Sequence, residues 1–209
     1  MEPERSESSP ELAGYADLAA DVRRLPARLG STRLVVVDGP AGAGKTTFAE
    51  RLAGALGDVQ VLHMDDFYEG WSGGLTPDVW DRLRAQVLEP LRSGRDGLYE
   101  HYDWGLGRFA GQRAVPLRPV LVIEGVGSAA RPVHPLASLL VWVEAPEPTR
   151  TTRGIARDGE AMRADWLRWI VRENAHFERD RTRERADLVV DGTTGNPAAY
   201  AVIEDRRPS

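Results

Sequence analysis

The chain has 209 residues, 42% hydrophobic and 28% charged, with a formal net charge of −5 and no cysteine. That length fits one domain with its own core, the missing cysteines exclude disulfides, thiolate metal sites and thiol catalysis, and the acidic balance argues against a nucleic-acid binder that relies on a general basic surface. No apolar run approaches the roughly 18 residues of a membrane span, and Met1–Pro10 lacks the apolar stretch of an export signal, so the expectation is a cytoplasmic protein engaging neither membrane nor nucleic acid.

In chain order, residues 1–11 are rich in Pro, Ser and Glu and read as a disordered tail before a single domain over 12–209. Leu12, Tyr15, Leu18, Ala19, Val22 and Leu25 keep helical spacing, so a helix is expected over 12–29, ended or bent at Pro26. Five short, β-branched apolar runs follow, centred on Leu34–Val37, Val59–Met64, Val120–Ile123, Leu139–Val143 and Leu188–Val190. Near-continuous runs of this kind are strands buried on both faces. Helical patterns fall between them at 45–56, 77–91, 149–158 and 161–179. The alternation implies an α/β fold: a three-layer sandwich with a mostly parallel five-stranded sheet and helices on both faces. Residues 98–118, with Gly105, Gly107 and Gly111, read as a small inserted hairpin, and Trp71–Leu75 as a flexible loop.

The chain holds one lysine among 27 basic side chains. Lys45 closes Gly39-Pro-Ala-Gly-Ala-Gly44-Lys45-Thr46, which has the G-x-x-x-x-G-K-[ST] spacing of a phosphate-binding loop, or P-loop. A strand precedes it and a helix follows. Gly39, Ala41, Gly42, Ala43 and Gly44 would turn backbone N–H groups toward phosphate oxygens, with Thr47 in the first helical turn. Lys45 would bridge the β- and γ-phosphates of ATP, and Thr46 would offer its hydroxyl to Mg²⁺. Each of the five runs ends at or just before a carboxylate: Asp38, Asp65 and Asp66, Glu124, Glu144 and Asp191. In parallel sheets ligands bind beyond the strand C-termini, although acids also mark turns there. Glu124 would hold Mg²⁺ with Thr46.

Three further features point to phosphoryl transfer. An aspartate after the second run, Asp65 or Asp66, would accept the proton of an acceptor hydroxyl, with Tyr68 as a substrate wall. Arg150, Arg153 and Arg157, at i, i+3 and i+7, would share a helix face and neutralise the transferring phosphoryl group, with Arg163 nearby. Tyr102, Asp103 and Trp104 would hold a flat or hydroxylated substrate. No lysine remains for a guanine-reading motif, which excludes a GTPase.

These motifs, in this order over about residues 33–192, resemble the uridine kinase and phosphoribulokinase group of P-loop kinases. The resemblance rests on Asp65-Asp66-Phe67-Tyr68, Pro77-Asp78-Val79-Trp80-Asp81, Tyr102-Asp103-Trp104, Glu124-Gly125, Thr149–Asp158 and Ala186–Val190. It implies Asp65 as catalytic base. The chain departs from the nucleoside-kinase pattern at Leu75, where an aspartate holds ribose, at Gly107, where a histidine reads the base, and at Gly154, where the lid carries a second arginine. The expectation is an ATP- and Mg²⁺-dependent kinase phosphorylating a hydroxyl of a small nucleoside-like or sugar-like metabolite. A nucleoside monophosphate kinase and a catalytically silent ATP-binding module stay open beside it, as does a homo-oligomer.

Overall fold

Five apolar runs with both faces buried dictate the centre of the molecule. The computed structural model describes residues 11–57 and 59–207. The strands are β1 (Glu11–Gly14), β2 (Arg33–Asp38), β3 (Val61–His63), β4 (Gly97–Asp103), β5 (Arg108–Val115), β6 (Val120–Glu124), β7 (Ala137–Glu144), β8 (Leu188–Asp191) and β9 (Ala199–Asp205). The helices are α1 (Tyr15–Arg24), α2 (Lys45–Leu56), α3 (Gly70–Gly73), α4 (Pro77–Leu83), α5 (Glu89–Arg92), α6 (Glu147–Asp158), α7 (Arg163–Asp180) and α8 (Thr182–Arg185). The main sheet runs β1-β9-β8-β7-β2-β6-β3, and β4 and β5 form a separate antiparallel hairpin.

Strands β3, β6, β2, β7 and β8 are parallel neighbours. Alternate side chains feed two cores: Leu34, Val36, Leu121, Ile123 and Leu140 on one face, Val35, Val37, Val122, Leu139 and Val141 on the other. This is why those runs show no polar alternation. Helices α1 and α2 cover the second face, where Tyr15, Phe48 and Tyr200 meet with ring centroids 5.2–5.3 Å apart.

The sheet has seven strands rather than the expected five. Strand β9 pairs antiparallel with β8, and β1 pairs antiparallel with β9. The single helix expected over 12–29 is therefore a strand followed by a helix that ends at Arg24, before Pro26. Backbone pairing to a partner almost 190 residues away overrides the local spacing of Leu12 and Tyr15. Glu11 belongs to that strand, while the rest of the expected tail, 1–10, lies outside the described residues. The 77–91 helix extends to Arg92 but widens into a π-helical stretch at Arg84–Leu88. Pro90 lacks an N–H and its ring conflicts with a carbonyl four residues back, so the wider turn relieves the ladder. Trp71–Leu75, read as a loop, begins in the helical turn α3 and is held by Arg172, whose guanidinium donates to the carbonyls of Trp71 (2.6 Å) and Ser72 (2.9 Å).

Asp38, at the end of β2, is fully buried and ties two loops together. It accepts N–H bonds from Gly39 (2.7 Å), Gly127 (2.9 Å) and Ala129 (2.9 Å). Burial pushes its carboxyl up to about 6, against the pull of those donors and Lys45. Asp38→Asn keeps one acceptor but sets an NH₂ group against backbone donors. Urea denaturation of this variant is expected to show a loss of about 2–3 kcal/mol.

Candidate functional site

Beyond the C-terminal ends of the parallel strands lies a cleft of about 940 Å³. The P-loop forms its floor. Gly42 and Gly44 take φ of 76° and 107°, left-handed values open to glycine, and helix α2 starts at Lys45 with its N-terminus toward the cleft. A side chain at Gly39 would collide with the Val143 carbonyl, 2.1 Å from its Cβ position, and one at Gly192 with the Ala43 carbonyl at 1.7 Å. The loop is thus pressed between β7 and the turn after β8. The Lys45 ammonium donates to the Pro40 carbonyl at 3.0 Å.

The expected metal pair is brought together. Thr46 Oγ1 donates to Glu124 Oε1 at 3.0 Å, and His63 Nδ1 lies 2.7 Å from the same oxygen. The Glu124 hydrogen bond holds the His63 imidazole above its ordinary value. Thr46 and Glu124 are hard oxygen donors and fit Mg²⁺. Among the described residues no cluster of three His, Cys, Asp or Glu side chains is assembled to hold an ion alone, so this set fits a cation whose remaining sites are filled by phosphate and water.

Asp65 and Asp66 sit on the turn after β3 and separate in role. Asp66 Oδ2 accepts from Tyr99 (2.6 Å) and from Arg113 (2.7 Å), both on the hairpin. The Asp65 carboxylate carries no hydrogen bond among the described residues and lines the cleft. Desolvation, followed by the charge of Glu124, raises its carboxyl above the usual range, while Lys45, Arg157 and His63 oppose this. The hairpin steadies the turn through Phe67 stacked on Tyr99 at 4.7 Å and through Trp104 Nε1, which donates to the Asp65 carbonyl at 3.1 Å.

The arginine stripe divides. Arg153 and Arg157 line the cleft. Arg153 donates to the Gly192 carbonyl at 3.1 Å, and Arg157 makes two bonds to Asp158, at 2.8 and 2.9 Å. Arg150 turns inward instead. Its buried guanidinium meets Glu173 at 2.9 Å and the Ala41 carbonyl at 3.2 Å, while the other Glu173 oxygen accepts the Ala41 N–H at 2.8 Å. Arg163 pairs with Glu160 at the surface and stays out of the cleft. On the substrate side Tyr68, Tyr102 and Trp104 line the cleft, but Asp103 does not: its carboxylate accepts the Leu106 N–H at 2.9 Å and closes the hairpin turn. The acids of the other strands serve the frame. Glu144 binds Arg183 and Trp142, and Asp191 caps Thr193.

Residues without a sequence-based role complete the site: His63, Glu173, Gly192 and the cleft-lining Trp71, Trp166 and Trp169. Trp166 and Trp169 stand three apart on α7, a spacing that reads equally as core. A second hollow of about 310 Å³ adjoins the P-loop, walled by Thr47, Arg51, Arg153, Thr193 and Tyr200.

No protein-family model matches the chain. Two solved structures share its fold over most of its length. One is a possible uridine kinase from Bacillus stearothermophilus, with a TM-score of 0.61 and 21% identity over 84% of this chain and 96% of that one. The other is a candidate fructose transport system kinase from Silicibacter sp. TM1040, with a TM-score of 0.62 and 21% identity over 80% of this chain and 95% of that one. The fold is that of P-loop kinases and fits the group the motifs resemble. Two Arabidopsis thaliana proteins, inorganic pyrophosphatases TTM2 and TTM1, are 31% identical over 119 residues and 29% over 118. The matched segments cover 53% of this chain but 17% and 18% of those proteins, so the chain spans less than a fifth of their length. No helix among the described residues is long and apolar enough to cross a membrane.

Removing one partner of a buried ion pair strands the other charge. Arg150→Ala is therefore expected to cost about 3–5 kcal/mol in chemical denaturation, and the exposed Arg153→Ala within about 1 kcal/mol.

Proposed function

We propose that the protein is an ATP-dependent phosphotransferase that moves the γ-phosphate of ATP to a hydroxyl of a small metabolite. One observation carries this reading: Asp65 stands in the cleft with its carboxylate unbonded, on the same wall as Glu124 and above the P-loop, while its neighbour Asp66 is tied down by Tyr99 and Arg113. An unbonded carboxylate in that place suits a group that must take a proton.

In this reading Lys45 and the loop amides hold the β- and γ-phosphates. Thr46 and Glu124 hold Mg²⁺, which when bound offsets charge on those phosphates. Arg153 and Arg157 close over the transferring group. The hollow beside Thr47 and Arg153 offers room for the base of the nucleotide. The acceptor oxygen attacks the γ-phosphorus, and the bond from that phosphorus to the β–γ bridging oxygen breaks. ADP leaves with the electron pair, and the hydroxyl proton passes to Asp65. The arginines that a phosphate acceptor would need, Arg108 and Arg113, do not line the cleft, which favours an alcohol over a nucleoside monophosphate.

The test is acceptor-dependent ADP release with Mg·ATP fixed. Asp65→Asn is expected to bind Mg·ATP with unchanged affinity while transfer falls by about 10²–10⁴-fold, and Lys45→Ala to lose both. Parent-like turnover in Asp65→Asn would remove the assigned base. Phosphate release from pyrophosphate with no acceptor would instead favour the activity for which the Arabidopsis relatives are named. The rate should also report Asp65 through pH. Its raised carboxyl must be ionised to accept a proton, so kcat/KM falls as pH drops, with an acid limb above the ordinary 3.8. A pH–rate profile that shows the limb at or below 3.8 would contradict this.

A further inference from the structure

A glutamate side chain does not aim its own carboxylate. Its last torsion is broad and nearly two-fold, so hydrogen bonds decide which oxygen is left for a ligand. Glu124 stands at the end of β6 with its side chain 7% exposed. Its Oε1 takes two bonds, from Thr46 Oγ1 at 3.0 Å and from His63 Nδ1 at 2.7 Å. Among the described residues no donor reaches Oε2.

Strand register puts His63 there. His63 and Glu124 are direct partners across the parallel β3–β6 pair, on strands about 4.8 Å apart. Side chains alternate along a strand, so His63 rises on the face of Val61 and Glu124 on that of Val120 and Val122. Those three valines pack into the core that α2 covers. The first turn of α2 brings Thr46 to Glu124 from the same side. Strand β3 ends the sheet, which leaves His63 half exposed.

The three groups differ in what else they can do. Thr46 and Glu124 are the oxygen donors suited to Mg²⁺. His63 is not among the residues that line the cleft, and its Nδ1 is committed to Glu124. An ionised carboxylate only accepts, so that nitrogen carries the hydrogen and donates it. Among the described residues, His63 is thus the one bonded partner of Glu124 that is not itself offered to the cation.

Resting on the kinase reading, we infer that His63 is a positioning residue, which turns the Glu124 carboxylate so that Oε2 is left for the cation of Mg·ATP. Its part is to hold Glu124 and not to touch nucleotide or acceptor. Hydrogen-bonded partners of metal ligands commonly carry about tenfold or more of the metal affinity. Without the imidazole, Oε1 keeps only Thr46 and the carboxylate is free to rotate.

The experiment titrates β,γ-imido-ATP, which resists transfer of its terminal phosphate, into the protein by calorimetry, once with Mg²⁺ and once with EDTA. The ratio of the two affinities reports how strongly metal, nucleotide and protein are coupled. His63→Leu, which keeps bulk at the sheet edge, and His63→Ala are each expected to cut that ratio about tenfold, while the affinity in EDTA stays within about twofold. His63→Asn should hold the ratio within about twofold of the parent, because its side-chain N–H group is borne on Cγ as Nδ1 is. In a Glu124→Ala background, His63→Leu should change the ratio by less than about twofold. A parent-like ratio in His63→Leu, equal losses in His63→Leu and His63→Asn, or equal falls with and without Mg²⁺ would each overturn the inference and leave the kinase reading standing. A parent protein that binds the analogue equally in Mg²⁺ and EDTA would overturn it as well. An analogue that binds under neither condition would bring down the kinase reading and this inference together.

Discussion

The site depends on a buried guanidinium–carboxylate pair. Arg150 on α6 and Glu173 on α7 meet at 2.9 Å with side chains 6% and 0% exposed, and both reach into the P-loop at Ala41. Two desolvated charges are tolerable only together. Their pairing therefore fixes the distance between α6 and α7, and fixes both helices to the loop. Burial pushes the Glu173 carboxyl upward, and the Ala41 N–H, Lys45 and Arg150 hold it back. The glycine-rich loop before α2 is thereby part of the rigid frame.

Charge is sorted by position along that frame. The acids that end β2, β7 and β8 are bonded to backbone amides or to arginine and tryptophan side chains, and they fasten loops. Those at the ends of β3 and β6, Asp65 and Glu124, face the cleft. The difference lies in what packs against each strand end. A hairpin braces the turn after β3 by engaging Asp66, which leaves Asp65 to face the open cleft. Helix α2 delivers Thr46 to Glu124 from the other side.

The cleft joins two unlike solvents. At the P-loop end, Lys45, Arg153 and Arg157 face Asp65 and Glu124 around oxygen donors suited to phosphate and a hard cation. Beside them stands a cluster of indole and phenol rings packed on one another, with Trp166, Trp169 and Tyr68 buried. Charged groups thus abut an aromatic wall whose rings are packed against one another.

Much of this was legible in the sequence. The G-x-x-x-x-G-K-T spacing, the apolar runs and the acids that close them are local signals, because a buried strand and a phosphate loop each need particular residues at adjacent positions. They determined the parallel core, the exact span of α2, the hairpin, and the placing of Lys45, Thr46, Asp65 and Glu124. Strands β1 and β9 were not legible, since each is an edge or near-edge strand half exposed to water whose pairing comes from distant chain. Nor was the fate of the arginines: equal spacing on α6 put Arg150, Arg153 and Arg157 on one face, but only the approach of Glu173 decided that the first is buried and the other two reach the cleft. Asp103 could have met a substrate hydroxyl until the hairpin turn claimed it for Leu106. The tryptophan cluster belongs wholly to tertiary structure, because its rings come from α3, the hairpin and α7, and no local rule brings Trp104 and Trp166 each within about 6 Å of Trp71.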